Sequence, residues 1–214
     1  MKLTTGFLSA ATLALSAWAP STMAAFTEYL SYTDWQNAIN YTQITENFND
    51  LDLEPIISSI SLAETASCVG TGCSIPIGVN TAAGIFTDRV SGTYPNGDET
   101  VFSFSEKVEA IGGFWDTDIN GGGVALNLYA DGVLVSTMTP TIPSTATGSF
   151  FGFTSTVLFD EFVIAGNGSG VETYSLVDMH VSAVPIPAAL PLFLSALLGV
   201  GIIGRRKRSS AVAA

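Results

Sequence analysis

The stretch Val124-Ala-Leu-Asn-Leu-Tyr-Ala-Asp-Gly-Val-Leu-Val-Ser-Thr-Met138 decides the fold. It holds two runs in which apolar or aromatic side chains recur at every second position, the period of a β-strand with one buried face. Between them lies Ala130-Asp131-Gly132. An Asp-Gly pair flanked by alternating runs is a strong signal for a tight β-hairpin turn. The stretch therefore predicts two antiparallel strands joined by a short turn.

The same period-two pattern recurs along most of the chain. Runs rich in β-branched or aromatic residues occupy 44–48, 56–62, 100–104, 108–115, 157–164 and 174–181. Glycine-rich or Pro-Asn-Gly turns lie at 94–98, 120–123 and 167–170. About eight short strands without a βαβ rhythm predict an all-β fold, an antiparallel β-sandwich. A jelly roll is the favoured topology.

One stretch before the strands has helical spacing. Trp35, Ala38 and Ile39 fall on one face of a helix over 32–39. Thr33 or Asp34 would provide the N-cap. We expect a short helix packed on the edge of a sheet.

The N-terminus has the pattern of a secretory signal peptide. A cationic start at Met1-Lys2 precedes an apolar run over 7–19, and small residues follow at 22–25. This order predicts a signal peptide over 1–24, with an alternative cleavage position one residue later. The remaining 25–183 is enough for one exported domain with its own core.

The C-terminus combines three features in a fixed order. Val184-Pro185-Ile186-Pro187 precedes an uncharged apolar run over 188–204, and Arg205-Arg206-Lys207-Arg208 and a short tail, 209–214, follow. As a helix, the apolar run would span about 25 Å, close to the thickness of a bilayer core. It predicts a transmembrane helix with the basic cluster in the cytoplasm. The alternatives are a plain membrane anchor and a buried core helix.

This arrangement over 184–208 resembles the PEP-CTERM sorting signal of Gram-negative bacteria, although Ile186 stands where that family usually has Glu. The resemblance implies recognition and processing by an exosortase. It also implies an inner-membrane precursor whose β-sandwich lies outside the cytoplasm and then moves to the cell surface or extracellular matrix. Phe150-Phe151-Gly152-Phe153 resembles a strand of the sandwich domains in such proteins, which are similar to carbohydrate-binding modules. Association with extracellular polysaccharide is the implied role.

The exported domain is strongly acidic. All 19 acidic residues lie in 25–183, with only Arg89 and Lys107 as cations, which gives this domain a net charge of −17. Such a surface repels nucleic acid and anionic lipid and attracts divalent cations. These numbers exclude a nucleic-acid-binding function and leave either solubility in a matrix or cation binding.

The two cysteines, Cys68 and Cys73, are predicted to pair. An exported chain meets an oxidising compartment, and closing so short a loop contributes about 2 kcal/mol. A zinc site would need four ligands, and His180 is the only histidine in the sequence.

The segment from Asp116 has the spacing that begins a calcium loop, with Asp116, Asp118 and Asn120 as ligands. At the twelfth position Asn127 stands where a bidentate Glu is needed. Two interpretations follow: a calcium site, or a hairpin turn capped by its own side chains. A calcium site would take further ligands from the acidic residues Asp50, Asp52 or Asp98.

No catalytic constellation is apparent. His180 lies in a strand pattern and no Gly-x-Ser-x-Gly elbow occurs, so we expect a non-enzymatic protein. A polysaccharide hydrolase with two carboxylates remains the rival, and a purely structural surface protein is another alternative. Several aromatic residues are candidates for sugar stacking or for the sandwich core: Trp35, Tyr94, Trp115, Tyr129, Tyr174, Phe150, Phe151 and Phe153. Trp115 and Tyr94 are the preferred stacking residues.

Overall fold

A computed structural model describes residues 25–63, 77–118, 121–142 and 148–184. Within these ranges there are nine strands and one helix. Their bounds are β1 Phe26–Tyr29, α1 Tyr32–Ala38, β2 Gln43–Glu46, β3 Ile57–Ser61, β4 Gly78–Asn80, β5 Ile85–Thr93, β6 Glu99–Thr117, β7 Val124–Ala130, β8 Val133–Met138 and β9 Ser149–Ala183. The prediction of an all-β fold with a short N-terminal helix is confirmed for this part of the chain.

The hairpin predicted at 130–132 joins β7 to β8. Ala130 pairs with Val133, and the two residues between them both have positive φ, 52° at Asp131 and 76° at Gly132. Two left-handed residues in sequence are what a type I′ turn requires, and its twist matches that of the flanking strands. The Asp-Gly sequence therefore fixes this hairpin.

Two long strands, β6 and β9, connect all the others and divide the sheet into two halves. The hairpin half has the order β3–β6–β9–β7–β8 and uses 99–103 of β6 and 161–166 of β9. The helix half uses 108–117 of β6, which lies between 149–154 and 174–183 of β9. Strands β2 and β5 border the latter segment, β4 follows β5, and β1 borders the former. In every pairing of β6 with β9 the partner number falls as the β6 number rises, so these strands run antiparallel.

The core lies between the two halves. Phe162 of the hairpin half packs against Phe153 of the helix half, with ring centroids 5.9 Å apart. Phe102, Trp115 and Tyr174 are also at most 1% exposed in the same cluster. Two β-layers that bury their facing side chains are consistent with the predicted antiparallel sandwich.

Helix α1 packs on the outer face of the helix half. Its N-cap is Ser31, whose Oγ accepts a hydrogen bond from the Asp34 N–H at 3.3 Å, so the cap precedes the predicted Thr33 or Asp34. Its Trp35 is fully buried in a second cluster with Ala110 and Phe150. The predicted helix is confirmed, and the prediction of its cap was wrong by two or three residues.

Several sequence predictions lie outside the described residues. They are the signal peptide 1–24, the pair Cys68 and Cys73, and the sorting-signal residues Pro185, Ile186, Pro187, Arg205, Arg206, Lys207 and Arg208 with the apolar run 188–204 and the tail 209–214. Val184 is the last described residue, and its N–H donates to the Lys107 carbonyl at 2.9 Å. In the described ranges, no helix is long and apolar enough to cross a membrane.

Candidate functional site

Strand β7 presents polar side chains to the outer face of the hairpin half. Leu126 and Leu128 belong to the core between the halves. Because side chains alternate along a strand, Asn127 and Tyr129 project to the opposite, outer face. This face is where we look for a site, since the inner face is filled by the core.

Strand pairing places the outer-face residues in rows. Tyr129 pairs with Glu161 of β9, and Glu161 pairs on its other side with Ser103 of β6. Neighbouring strands lie about 4.8 Å apart, so these three side chains stand next to one another. In the next row Asn127 is followed by Val163 of β9. The rows form a continuous strip across three strands.

Tyr94 joins this strip from the turn between β5 and β6. Its hydroxyl forms a hydrogen bond with the hydroxyl of Tyr129, and both residues are half-buried. Burial raises the pKa of Tyr129, and the bond to Tyr94 and the charges of Glu99 and Glu161 raise it further. The Tyr129 phenol is therefore neutral at physiological pH, and the two tyrosines present adjacent rings.

Two carboxylates accompany the tyrosines. Glu99 pairs with Ala165, four residues along β9 from Glu161, so both acids project from the same face. Burial, and then the negative charge of Glu161, raises the pKa of Glu99. The charge of each acid is also felt at Tyr129. The two carboxylates therefore act on one small region around the tyrosine hydroxyls.

Asn127 lies beneath this region with an unused hydrogen-bond donor. It is fully buried, and its Oδ1 accepts a hydrogen bond from Thr137 Oγ1 at 2.7 Å. Its Nδ2 has no partner among the described residues. A buried amide N–H without a partner costs about 1–3 kcal/mol. We call the partly exposed set Tyr94, Tyr129, Glu99, Glu161 and Ser103 the tyrosine face, and the buried Asn127 lies beneath it.

The structure separates the two residues predicted to stack on sugars. Trp115 is 1% exposed, and its Nε1 donates to the Phe151 carbonyl at 3.1 Å. The stacking prediction for Trp115 is wrong because its ring fills the core between the halves. Tyr94 lies on the partly exposed tyrosine face, and its stacking role stays a prediction.

Glu99, Glu161 and the buried amide of Asn127 were not singled out from the sequence. The sequence does contain one signal for this face. Side chains alternate along β7, so Tyr129 must lie on the opposite side of the strand from the core residues Leu126 and Leu128. No sequence rule places a turn tyrosine or the middle of β9 beside it, because those contacts depend on strand order.

The predicted calcium ligands lie at the end of β6. Asp116 and Asp118 are described, whereas Asn120 lies outside the described residues. Among the described side chains, no three of His, Cys, Asp or Glu form a metal-binding group. Of the proposed further ligands, the Asp50 carboxylate accepts a hydrogen bond from the Asp52 N–H at 3.0 Å, and the Asp98 carboxylate accepts one from Ser91 Oγ. Calcium binding stays a prediction.

Glu172 of β9, which the sequence analysis did not consider, closes the same turn. Its two carboxylate oxygens accept hydrogen bonds from Asp118 N at 2.8 Å and Gly123 N at 2.9 Å. Burial is the main reason that the pKa of Glu172 is raised, and the negative charge of Asp118 adds to it. A carboxylate from the neighbouring strand therefore holds the segment that was predicted to be either a calcium loop or a self-capped turn.

His180 lies beneath helix α1. Its Nδ1 is 2.8 Å from Gln43 Nε2 and 2.9 Å from Thr45 Oγ1, and the Tyr32 ring stacks on it with centroids 4.8 Å apart. Burial lowers its pKa. His180 therefore lies on a strand, as its sequence pattern predicts, and its contacts help to join helix α1 to the sheet.

Comparison with family models, curated proteins and solved structures gives no match. The function must therefore be argued from the tyrosine face itself.

Proposed function

We propose that this chain is an exported, non-catalytic β-sandwich, jelly-roll-like in topology, that attaches to saccharide polymers at the cell surface or in the extracellular matrix. The observation that carries the proposal is the pair Tyr94 and Tyr129, half-exposed side by side on a sheet face with carboxylates next to them. The tyrosine face is the proposed binding surface.

The chemistry of this face suits a sugar. An aromatic ring covers the apolar C–H face of a pyranose, and its hydroxyl remains available for hydrogen bonding. Carboxylates accept hydrogen bonds from sugar hydroxyls. Because the side chains stand in rows across adjacent strands, the surface is elongated and suits several units of a polymer.

Outer positions on the strands beside the face extend the polar strip. Ser59 and Ser61 of β3 pair with β6 and are exposed, and Thr137 of β8 is exposed beside Asn127. Hydroxyl side chains at these positions offer further weak hydrogen bonds along the path of a polymer.

The proposed destination is supported by the two ends of the sequence. The signal-peptide pattern over 1–24 supports export, and the resemblance of 184–208 to a PEP-CTERM signal supports handling by an exosortase. Strand β9 runs directly to Val184, the first residue of that signal. The sandwich would thus be held close to the membrane until the signal is processed.

A second candidate function is hydrolysis of a polysaccharide. Glu99 and Glu161 act on the same region, and a raised pKa at Glu99 is a property of a general acid. In that case each of Glu99→Gln and Glu161→Gln would abolish release of new reducing ends from a polymer. Absence of such release from the unaltered protein would leave the binding role.

The binding proposal is tested with the purified exported protein on an array of polysaccharides, with and without calcium. We expect Tyr129→Ala and Tyr94→Ala to weaken binding at least tenfold, since each removes a stacking ring. Tyr41→Ala is the matched control, because Tyr41 is 38% exposed and lies outside the tyrosine face. Unchanged binding in both face variants would overturn the tyrosine face as the binding surface, and binding to no polysaccharide would leave the purely structural role.

The destination is tested separately by the mass of the mature protein. Replacing both Pro185 and Pro187 with Ala should leave the protein anchored and unprocessed. If the unaltered mature protein still carries 188–214, the segment is a simple anchor.

A further inference from the structure

We infer that the tyrosine face is selective for polymers of amino sugars with free, protonated amines, in preference to N-acetylated sugars and uronic acids. This inference rests on the proposed function and names the ligand class. It is carried by the position of two carboxylates beside the tyrosine pair.

The first step is the charge of the face. Glu161 pairs directly with Tyr129, and Glu99 projects from the neighbouring strand on the same side. In the strand register, Glu99 stands opposite Ala165, four residues along β9 from Glu161. The two like charges lie on one face at this separation, and a cation bound between them is attracted to both. A bound ammonium group would therefore gain from both acids, whereas a uronate would be repelled by both.

The second step is that the nearest cations of the domain serve other partners. Lys107 binds Asp131 at 2.8 Å and Asp160 at 2.5 Å. Arg89 lies on β5 in the helix half, where it pairs with Thr173. With a net charge of −17 over 25–183, the surroundings strengthen the negative potential of the face.

The third step is the combination of rings and acceptors. Tyrosine rings attract ammonium groups through the negative face of their π-system. The tyrosine hydroxyls and the carboxylates accept hydrogen bonds from sugar hydroxyls. A sugar that carries both an ammonium group and hydroxyl groups meets all of these requirements at once.

The test uses the exported protein and three oligosaccharides of equal length: a glucosamine hexamer, its fully N-acetylated form and a galacturonate hexamer. We expect the glucosamine hexamer to bind at least tenfold more tightly than the N-acetylated form. The galacturonate hexamer should bind least. Raising the salt concentration should reduce the preference because it screens exposed charges.

Variants assign the preference to the face. Glu99→Gln and Glu161→Gln should each weaken binding of the glucosamine hexamer about tenfold and leave binding of the N-acetylated hexamer nearly unchanged. Glu28→Gln is the matched control, since Glu28 is an exposed acid on β1 in the helix half. Tyr129→Ala should weaken binding of both neutral and cationic hexamers.

The outcomes separate the inference from the proposed function. Equal binding of the glucosamine and N-acetylated hexamers would overturn the inference and leave saccharide binding intact. An effect of Glu28→Gln as large as that of Glu99→Gln would attribute the preference to net charge and also overturn it. Binding to none of the three hexamers, and to no polymer on the array, would overturn both.

Discussion

The two outer faces of the sandwich are built from the same two strands, β6 and β9, yet they differ in what they present. On the helix half the face is apolar, and α1 covers it with the fully buried Trp35. On the hairpin half the face carries Tyr94 and Tyr129 at partial exposure, with Glu99 and Glu161 beside them. Among the described elements, α1 is the only helix, and it packs on the helix half. The comparison teaches that an aromatic residue on a sheet face indicates a binding surface only where no other element covers it.

Glycine is the physical cause of the covered face. A Cβ at Gly112 would lie 2.7 Å from Phe150 Cζ, and one at Gly152 would lie 2.8 Å from Trp35 Cδ1. Two glycines on adjacent strands therefore leave the space that the indole of Trp35 occupies. On the hairpin half the corresponding rows carry side chains in place of glycine, such as the buried Val163 and the partly exposed Glu161.

The largest expected effect is that of Trp35→Ala. The substitution leaves a cavity over the two glycines and removes the hydrogen bond from Nε1 to the Phe153 carbonyl, which is 3.2 Å long. We expect a loss of about 3–5 kcal/mol in the free energy of unfolding, measured by urea denaturation. Saccharide binding per folded molecule should not change, because the tyrosine face lies on the other half.

Trp35→Phe is the matched control for this substitution. It keeps an aromatic ring in the site and should cost less than Trp35→Ala. A loss under 1 kcal/mol for Trp35→Ala would contradict the view that α1 is an integral cover, and the comparison of the two faces would lose its basis.

The next effect is overpacking at Gly152. In Gly152→Ala the new methyl group meets Trp35, Phe150 and the Gly112 backbone at 2.8, 2.9 and 3.1 Å. We expect the free energy of unfolding to fall by about 1–3 kcal/mol, since a packed site must move to accept it. Thermal unfolding followed by circular dichroism would measure the change.

Gly168→Ala is its control on the same strand. The nearest atom to a Cβ there is the Gly122 carbonyl oxygen at 3.9 Å, an ordinary contact. If both variants lose the same stability, the cost comes from glycine replacement in β9 and has no specific relation to Trp35.

Two tyrosine hydroxyls sharpen the comparison between the faces. On the helix half, Tyr32 Oη accepts hydrogen bonds from Gln36 Nε2 at 2.8 Å and Gln43 Nε2 at 3.0 Å, and it lies 3.2 Å from Gln43 Oε1. On the hairpin half, Tyr129 Oη bonds to Tyr94 Oη. Tyr129→Phe should lower the free energy of unfolding by about 1 kcal/mol, the net value of one hydrogen bond, and Tyr32→Phe by about 1–2 kcal/mol because it loses more than one.

The expected difference between these two variants lies in binding. Only Tyr129→Phe should weaken binding of the saccharide, because only that hydroxyl faces the proposed ligand. Calorimetric titration of both variants with the same oligosaccharide would check this. An equal loss in both would show that the tyrosine face has no special role.

The sequence was sufficient for the elements that depend on local pattern. Alternation over 124–138 with Asp131-Gly132 predicts the hairpin, and the spacing of Trp35 and Ile39 predicts α1. The order of the strands and the contacts between distant segments could not be predicted from the sequence. That β9 passes from one half to the other, and that Glu172 closes the turn at Asp118, depend on strand order, which no local period encodes.

The candidate site likewise has one part that the local sequence predicts and one part that depends on long-range contacts. Pro95, Asn96 and Gly97 predict the turn at 94–98, and the sequence analysis proposed Tyr94 as a stacking residue. Its partner Tyr129 lies 35 residues away in sequence. The error at Trp115 has a related cause, because alternation shows that two faces exist without showing which one the second layer covers.

The smallest expected effect is at the bend where β6 and β9 pass from one half to the other. Lys107 Nζ binds Asp160 at 2.5 Å and Asp131 at 2.8 Å, and the Lys107 and Asp160 side chains are about one third exposed. Solvent screens such pairs, so Lys107→Met should cost about 0.3–1 kcal/mol in low salt and less in high salt.

The pH dependence of this effect follows from Asp160. Burial alone would raise the pKa of Asp160, but hydrogen bonds from Lys107 Nζ and Asp131 N hold it below its ordinary value of 3.8. Stability from a lowered carboxyl pKa is present above 3.8 and is lost as pH falls through the lowered value. The difference in urea midpoint between Lys107→Met and the unaltered protein should therefore be measurable at pH 7 and shrink on acidification below 3.8. A difference that persists unchanged in acid would mean that Lys107 acts through the packing of its aliphatic stem at the bend, and that the two faces are joined there without help from charge.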